Sequence, residues 1–161
     1  MNNRKVIFLD VDGVLNGGIA ESYAPSGCVG VDLNKVMLLK RIINATGADI
    51  VLSSSWKQEF PDEGFTTEDG MYLVERLAEY SVEIDDITVP GKATAYRGGE
   101  IQSWLSRHPE ISGWVVLDDE MFCDFESCGI MSHLVQTDCG EGLTIEDVRQ
   151  AIGILNNEKE E

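Results

Sequence analysis

The order of apolar and polar residues along the chain predicts strands that alternate with helices. Short apolar runs bounded by turn residues are typical of strands that are covered on both faces. Apolar positions spaced three or four residues apart are typical of helices with one buried face. The expected strands lie at residues 6–9, 50–52, 82–89, 114–117 and 133–136.

Capping residues mark the start of three of the four predicted helices. Asp32 precedes the first helical pattern and Gly47 follows it, as expected for an N-cap and a left-handed C-cap. The second helix is expected to start at Thr66 or Thr67. A third helix is predicted over residues 98–107 and a fourth after Thr144, while residues 13–30, with several Gly and Pro, are predicted to form a loop or flap.

This alternation predicts an α/β fold with a central parallel five-stranded sheet, helices on both faces and right-handed crossovers. We expect residues 1–157 to form one Rossmann-like domain of three layers, followed by an acidic tail at residues 158–161. In such sheets, ligands bind at the carboxyl ends of the strands. We therefore expect a functional site at the carboxyl ends of the strands.

Polar residues follow three of the predicted strands. Asp10 and Asp12 are two residues apart after the first strand, so both side chains can point into one cavity while Val11 points away. Carboxylates placed side by side need a positive partner, and an all-oxygen ligand set selects Mg²⁺. The residues at the three ends are Asp10 and Asp12, then Ser53, Ser54 and Ser55, then Asp118 and Asp119.

Serine hydroxyls beside a metal suit phosphate oxygens, and a basic side chain would supply further positive charge. Ser53 comes first after its strand, although Ser54 takes its place if the strand is one residue longer. The basic candidates are Lys92 and Arg97. Arg97 is preferred because Gly98 and the third helix follow it directly.

Charge and composition limit the classes of partner. The 161 residues have a formal net charge of −17, which disfavours extended contact with nucleic acid or anionic lipid and suits a need for a divalent cation. The composition, 43% hydrophobic and 25% charged, is that of a globular protein. No apolar run has the length of a membrane span and no signal peptide is evident, so we expect a cytoplasmic protein without a membrane partner.

Other interpretations of single motifs are weaker. The spacing of Cys123, Cys128, His133 and Cys139 permits a zinc site, but its irregularity favours reduced thiols that act as small buried hydrophobic residues. A calcium loop at Asp10 and Asp12 would need an oxygen ligand where Val14 stands and glycine where Leu15 stands. Trp56, next to the serines, is the tryptophan best placed to contact a substrate, although packing is the simpler role.

Four motifs in this order resemble the haloacid dehalogenase (HAD) superfamily. They are DVDGV at residues 10–14, the serines after IVL, a basic residue before a helix, and VVLDD ending at residue 119. The stretches TGADIVLSSSW, RGGEIQSWL and TDCGEGLT are similar to those of small HAD domains grouped with bacterial RNA-repair proteins. The resemblance covers roughly residues 5–155.

The resemblance implies a phosphatase that uses Mg²⁺ and forms an aspartyl-phosphate. Asp10 would be the nucleophile, and Asp12 would be the general acid and then the base. The metal would be held by Asp10, the backbone carbonyl of Asp12, and one or both of Asp118 and Asp119. Ser53 or Ser54, with Arg97 or Lys92, would bind phosphate, although lysine is commoner than arginine at the position of Arg97.

No segment is long enough for a large cap domain, and in this superfamily an open site tends to serve large substrates or to be closed by oligomer partners. The expected partner is a phosphorylated substrate: a nucleotide or nucleic-acid end, a phosphoprotein or a small metabolite. Oligomerisation is left open. The alternative function is a metal-binding regulatory or interaction module with little turnover.

Overall fold

A computed structural model describes residues 3–92 and 94–157. Five parallel strands form one sheet in the order β3-β2-β1-β4-β5, which confirms the predicted Rossmann-like architecture. The strands are β1 (Arg4–Leu9), β2 (Asp49–Leu52), β3 (Asp86–Ile87), β4 (Ile111–Asp118) and β5 (Leu134–Gln136). The helices are α1 (Leu33–Thr46), α2 (Glu68–Ala78), α3 (Arg97–Ser106) and α4 (Ile145–Leu155). The predicted acidic tail, residues 158–161, lies outside the described residues.

Alternate residues of the central strand β1 pack into different layers. Ile7 and Leu9 belong to a core that also contains buried residues of α1, α2 and α4. Val6 and Phe8 belong to a second core on the opposite face, which Ile101 and Trp104 of α3 complete. The sheet is therefore covered on both faces, and the continuous apolar run of β1 is the sequence signature of that burial.

Helix caps explain why the predicted boundaries were accurate. The Asp32 side chain accepts a hydrogen bond from the Asn34 N–H, and Gly47 ends α1 with a φ of 72°. Thr67, rather than Thr66, caps α2. Thr144 and Asp147 form a reciprocal capping box at the start of α4.

The third strand is much shorter than predicted. Only Asp86 and Ile87 pair with β2, although residues 82–89 were expected to be extended. The Asp85 carboxylate accepts the Ile50 N–H at 2.7 Å, so a side chain satisfies a backbone donor that a longer strand would satisfy with a carbonyl. The strand that follows α2 is therefore a short edge element.

The segment between β2 and α2 contains a short 3-10 helix, Ser55–Glu59, which begins at the third of the three serines. On α2, Met71 and Val74 are exposed. The loop predicted at residues 13–30 contains one antiparallel bridge, Tyr23 with Val29.

Across the described part of the chain, no helix combines the length and the apolar character needed to cross a membrane.

Candidate functional site

Three carboxylates meet at the carboxyl ends of β1 and β4. Asp10, Asp118 and Asp119 each offer an oxygen atom, and these oxygen atoms lie within 4.8 Å of one another. β1 and β4 are paired in register from Lys5 and Gly113 onward, so the two acidic ends lie side by side. The Asp10 N–H continues this pairing by donating to the Leu117 carbonyl at 3.0 Å.

Gly13 allows this arrangement. Its φ is +78°, and a Cβ at this position would collide with the Asp119 carboxylate. The carbonyl of Gly13 accepts a 2.6 Å hydrogen bond from the Thr137 hydroxyl, which follows β5. The turn after β1 is therefore held in place by the next-but-one strand of the sheet.

Arg97 provides positive charge within the cluster. Its Nη1 lies 2.6 Å from Asp118 Oδ2 and 3.4 Å from Asp10 Oδ1, and the guanidinium lies 4.2 Å from the centre of the Phe122 ring. The Nε atom of Arg97 is buried and has no hydrogen-bond partner among the described residues. Arg97 is thus fixed by carboxylates and an aromatic face while one of its donors stays unused.

The N-terminus of α3 holds Arg97 in this position. Tyr96 makes no side-chain cap, and Asp124 instead accepts the N–H groups of Gly98 and Gly99 at 3.0 and 2.8 Å. A Cβ on Gly98 would lie 2.8 Å from Asp124 Oδ1, so glycine is needed for this approach. Lys92, the other basic candidate, is exposed and does not line the site cavity.

Burial and mutual repulsion oppose the ionisation of Asp10 and Asp118. Burial, followed by the charge of Asp118, raises the pKa of Asp10 to about 9, although Arg97 and a hydrogen bond with Ser54 act in the opposite direction. Burial also raises the pKa of Asp118, against the effect of Arg97. Two buried carboxylates beside a half-buried third fit a hard divalent cation, whose charge favours the ionised forms of Asp10 and Asp118.

The serines after β2 have different environments. Ser53 Oγ is buried without a hydrogen-bond partner in the described part of the chain. Ser54 Oγ accepts the Trp56 N–H at 3.2 Å and caps the 3-10 helix. Of the two candidates, Ser53 therefore has the hydroxyl that is still available to a ligand.

Asp12 is separate from the three-carboxylate cluster. Its side chain is exposed, Oδ1 accepts from Asn16 Nδ2 at 3.0 Å, and Oδ2 accepts from Trp56 Nε1 at 3.1 Å. A metal contact through the Asp12 backbone carbonyl stays a prediction. Trp56 itself is only 6% exposed, so it packs beneath Asp12 instead of presenting its ring to a substrate at the rim.

A buried ion pair next to the site was not predicted. Lys57 Nζ lies 2.6 Å from Glu100 Oε2, and both side chains are buried. Burial lowers the pKa of Lys57, although Glu100 opposes this effect. The two residues are 43 positions apart, so no local sequence pattern predicts the pair.

A cavity of about 160 Å³ opens beside the acidic cluster and Arg97. It is smaller than a typical pocket for a drug-sized ligand. Its lining combines carboxylates, a guanidinium and one aromatic ring. The lining residues are Asp10, Asp12, Ser55, Arg97, Asp119, Glu120 and Phe122.

All four cysteines are free thiols, as predicted, but the expectation that they are buried is wrong. Cys28, Cys123 and Cys139 are exposed rather than buried, and Cys128 is partly buried. His133 stacks on Trp114 and hydrogen-bonds the Trp114 carbonyl through Nδ1. Among residues 3–92 and 94–157, the aspartate cluster is the one group of metal-binding side chains close enough to share an ion, so a zinc site is not supported.

The three-layer fold, with acidic ends on two adjacent parallel strands, defines a domain of the HAD superfamily. The model of a family described as the HAD domain in Swiss Army Knife RNA repair proteins matches residues 6–148. The chain therefore belongs to this family. No curated protein and no solved structure gives a match.

Proposed function

We propose that the protein is a Mg²⁺-dependent phosphatase that hydrolyses phosphomonoesters through an aspartyl-phosphate at Asp10. The observation that carries this proposal is the group of Asp10, Asp118 and Asp119 at adjoining strand ends, with Arg97 bridging two of them. Membership of a HAD family supports a hydrolase of the phosphatase type. The combination supplies a nucleophile, ligands for a cation and a fixed positive charge in one small cavity.

Asp10, Asp118 and Asp119 would hold Mg²⁺, together with the backbone carbonyl of Asp12. When bound, the ion neutralises the charge on the phosphoryl oxygens and on the carboxylates, so that an anionic nucleophile can approach an anionic substrate. The donor set is all oxygen, as this ion prefers. No nitrogen or sulfur ligand lies in the cluster formed by the described residues.

The covalent steps use two aspartates. The Asp10 carboxylate attacks phosphorus and the ester P–O bond breaks, while the Asp12 carboxyl gives its proton to the leaving oxygen. Asp12, now a carboxylate, takes a proton from the water that attacks the phosphorus of the acyl phosphate. The bond between phosphorus and the Asp10 oxygen breaks, inorganic phosphate leaves, Asp10 is again a carboxylate and Asp12 is again protonated.

Two unpartnered polar atoms support phosphate binding. Ser53 Oγ and Arg97 Nε are both buried without a hydrogen-bond partner in the described residues. Buried donors without a partner cost free energy, so they are expected where a ligand supplies the missing acceptor. In this proposal, phosphoryl oxygens accept from the Ser53 hydroxyl and from the Arg97 guanidinium.

The cavity size points to recognition of the phosphoryl group, with the rest of the substrate outside. About 160 Å³ suits a phosphoryl group but not a nucleotide or sugar ring as well. The family description names RNA repair proteins, which makes a phosphorylated nucleic-acid end one candidate. The net charge of −17 opposes an extended contact with a polyanion, so short nucleic-acid ends, nucleotides, phosphopeptides and small metabolites all belong in a substrate panel.

The test compares the wild-type protein with Asp10→Asn on an aryl phosphate and on this panel, with Mg²⁺ and with EDTA. We expect Mg²⁺-dependent hydrolysis that Asp10→Asn abolishes while circular dichroism stays unchanged. Asp62→Asn is the matched control, because Asp62 is exposed and does not line the cavity. Full activity in Asp10→Asn, or a wild-type protein that hydrolyses nothing in the panel, would overturn the proposal; the latter would favour a metal-binding module without turnover.

A further inference from the structure

We propose that Trp56 is a positioning residue, whose indole N–H holds the Asp12 carboxyl in the orientation that protonates the leaving group. The inference rests on the proposed phosphatase function and adds a residue that the known motifs do not assign to the reaction. Trp56 Nε1 donates to Asp12 Oδ2 at 3.1 Å. The hydrogen bond links the turn after β1 to the 3-10 helix after β2.

Asp12 needs such support because it lies on a turn and is exposed. An exposed aspartate normally exchanges between rotamers, whereas general acid catalysis needs the proton within hydrogen-bond distance of the leaving oxygen. Here each carboxylate oxygen accepts one hydrogen bond from a buried neutral donor. Two donors on different oxygens fix both the direction and the plane of the carboxyl group.

Asn16 is the second donor and is itself held firmly. Its side chain is 7% exposed, its Oδ1 accepts the Gly13 N–H at 2.9 Å, and its Nδ2 also donates to the Gly30 carbonyl at 3.0 Å. The amide group is thus fixed by contacts on both sides. Asn16 therefore supports the backbone of the turn in addition to the Asp12 side chain, whereas among the described residues the Trp56 side chain makes its one polar contact with Asp12.

The Trp56 ring is fixed by packing. It is part of the main core, and the Trp56 backbone N–H donates to Ser54 Oγ at 3.2 Å. The direction of the indole N–H is therefore set before a substrate binds. A carboxylate has about four lone-pair sites, so an N–H bond to each oxygen still leaves a site on each for the catalytic proton.

This role predicts a dependence on the leaving group. An acid matters most for a basic leaving group such as phenolate and little for 2,4-dinitrophenolate, which departs without a proton. The ratio kcat/KM reports the steps up to phosphoryl transfer, so the later work of Asp12 as a base does not enter. We therefore expect Trp56→Phe, which keeps an aromatic ring and removes the N–H, to lower kcat/KM about tenfold for phenyl phosphate and less than about twofold for 2,4-dinitrophenyl phosphate.

Three further variants make this comparison specific. Asp12→Ala is the reference for loss of the acid, and adding Trp56→Phe to it should leave the leaving-group dependence unchanged. Asn16→Asp keeps an acceptor for the Gly13 N–H but removes the donor to Asp12, so it should reproduce the selective loss if Trp56→Phe is poorly folded. Trp104→Phe is the matched control, because the buried Trp104 also donates its indole N–H to a carboxylate, Asp86 at 2.9 Å, outside the site.

The hydrogen bond itself has a readout that needs no turnover. In a ¹H–¹⁵N spectrum, the indole resonance of Trp56, assigned by its absence in Trp56→Phe, should shift upfield in Asp12→Ala and exchange faster with water. The indole resonance of Trp104 should stay in place. An unmoved Trp56 resonance would show that the contact does not exist and would overturn the inference.

The kinetic outcomes separate the inference from the proposed function. A wild-type protein without hydrolysis of either ester refutes both. If the wild type is active and Asp12→Ala shows the leaving-group effect, an equal loss on both esters in folded Trp56→Phe and Asn16→Asp refutes the positioning role alone. A selective loss on phenyl phosphate in those variants, with no selective loss in Trp104→Phe, supports it.

Discussion

Ser53 and Ser54 are neighbours with the same side chain, yet their hydroxyl groups have opposite energetic effects. The Ser53 hydroxyl is buried without a partner among the described residues, whereas the Ser54 hydroxyl caps a helical turn. An unpartnered buried hydroxyl costs about 1–3 kcal/mol, while loss of a serine cap costs about 0.5–2 kcal/mol. The two serines can therefore be separated by experiment.

We expect Ser53→Ala to leave the free energy of unfolding unchanged or about 1 kcal/mol higher, because it removes an unpartnered polar group. The same change should raise KM for an aryl phosphate several-fold, since a hydrogen-bond donor to the phosphoryl oxygens is lost. Urea unfolding and steady-state kinetics measure the two effects. Ser54→Ala is the control and should unfold more easily; loss of stability in Ser53→Ala without a change in KM would contradict the assignment.

Substitution of Arg97 and of Lys92 should have very different effects on activity. Arg97→Met should lower kcat/KM at least about a hundredfold, because preorganised positive charge at a transferring phosphoryl group contributes this much or more. Lys92→Met should leave kcat/KM within about twofold, because Lys92 is exposed and outside the cavity. Steady-state kinetics with matched Mg²⁺ decides between them. The opposite ranking would assign phosphate binding to Lys92.

Sequence patterns located the acidic, serine and arginine positions, but not the residues whose contacts hold these side chains in place. D-x-D spacing and a strand ending in Asp118 and Asp119 are local signals, so these residues could be found. The contacts of Asn16, Trp56 and Lys57 depend on how distant segments pack. Trp56 and Asp12 are 44 positions apart, and no periodicity links them.

The buried ion pair of Lys57 and Glu100 connects the 3-10 helix after β2 to α3. Glu100 also accepts hydrogen bonds from Thr94, at 3.0 Å from its hydroxyl and 3.3 Å from its N–H. One pair therefore holds three segments together: the one after the serines, the loop before α3, and the helix that carries Arg97.

Removing one partner should be costly, because it leaves a buried charge without compensation. We expect Lys57→Met to lower the free energy of unfolding by about 3–5 kcal/mol, as is typical for a broken buried ion pair. The double variant Lys57→Met with Glu100→Leu should recover much of this loss. Urea unfolding measures all three proteins, and equal or larger destabilisation in the double variant would contradict an electrostatic cause.

Elements with strong local signals were predicted well. Helices α1, α2 and α4 have side-chain caps, and β1 and β4 are apolar runs at the centre of the sheet. β3 was overestimated because an apolar residue in an irregular segment, such as the buried Val82, looks the same in sequence as a strand residue. Its actual length depends on the Asp85 side chain, which no propensity encodes.

For the whole molecule, the net charge of −17 is the dominant feature. Self-repulsion of this size opposes the compact state and is screened by salt. With EDTA present to remove divalent ions, we expect Tm to rise between about 0.01 and 0.1 M salt, as the Debye length falls from about 30 to 10 Å. Calorimetry with NaCl and KCl tests this, and a Tm that stays constant or falls in both salts would contradict it.

The central claim is that Asp10 is phosphorylated during turnover. The most direct measurement is acid quenching of the wild-type protein during hydrolysis, reduction of any acyl phosphate with borohydride, and mass spectrometry of the peptides. Reduction converts a phosphorylated aspartate to homoserine, so the modified position identifies the nucleophile. We expect homoserine at position 10 with substrate and Mg²⁺, and none with EDTA. Active turnover with modification at another aspartate instead would contradict the assignment of Asp10.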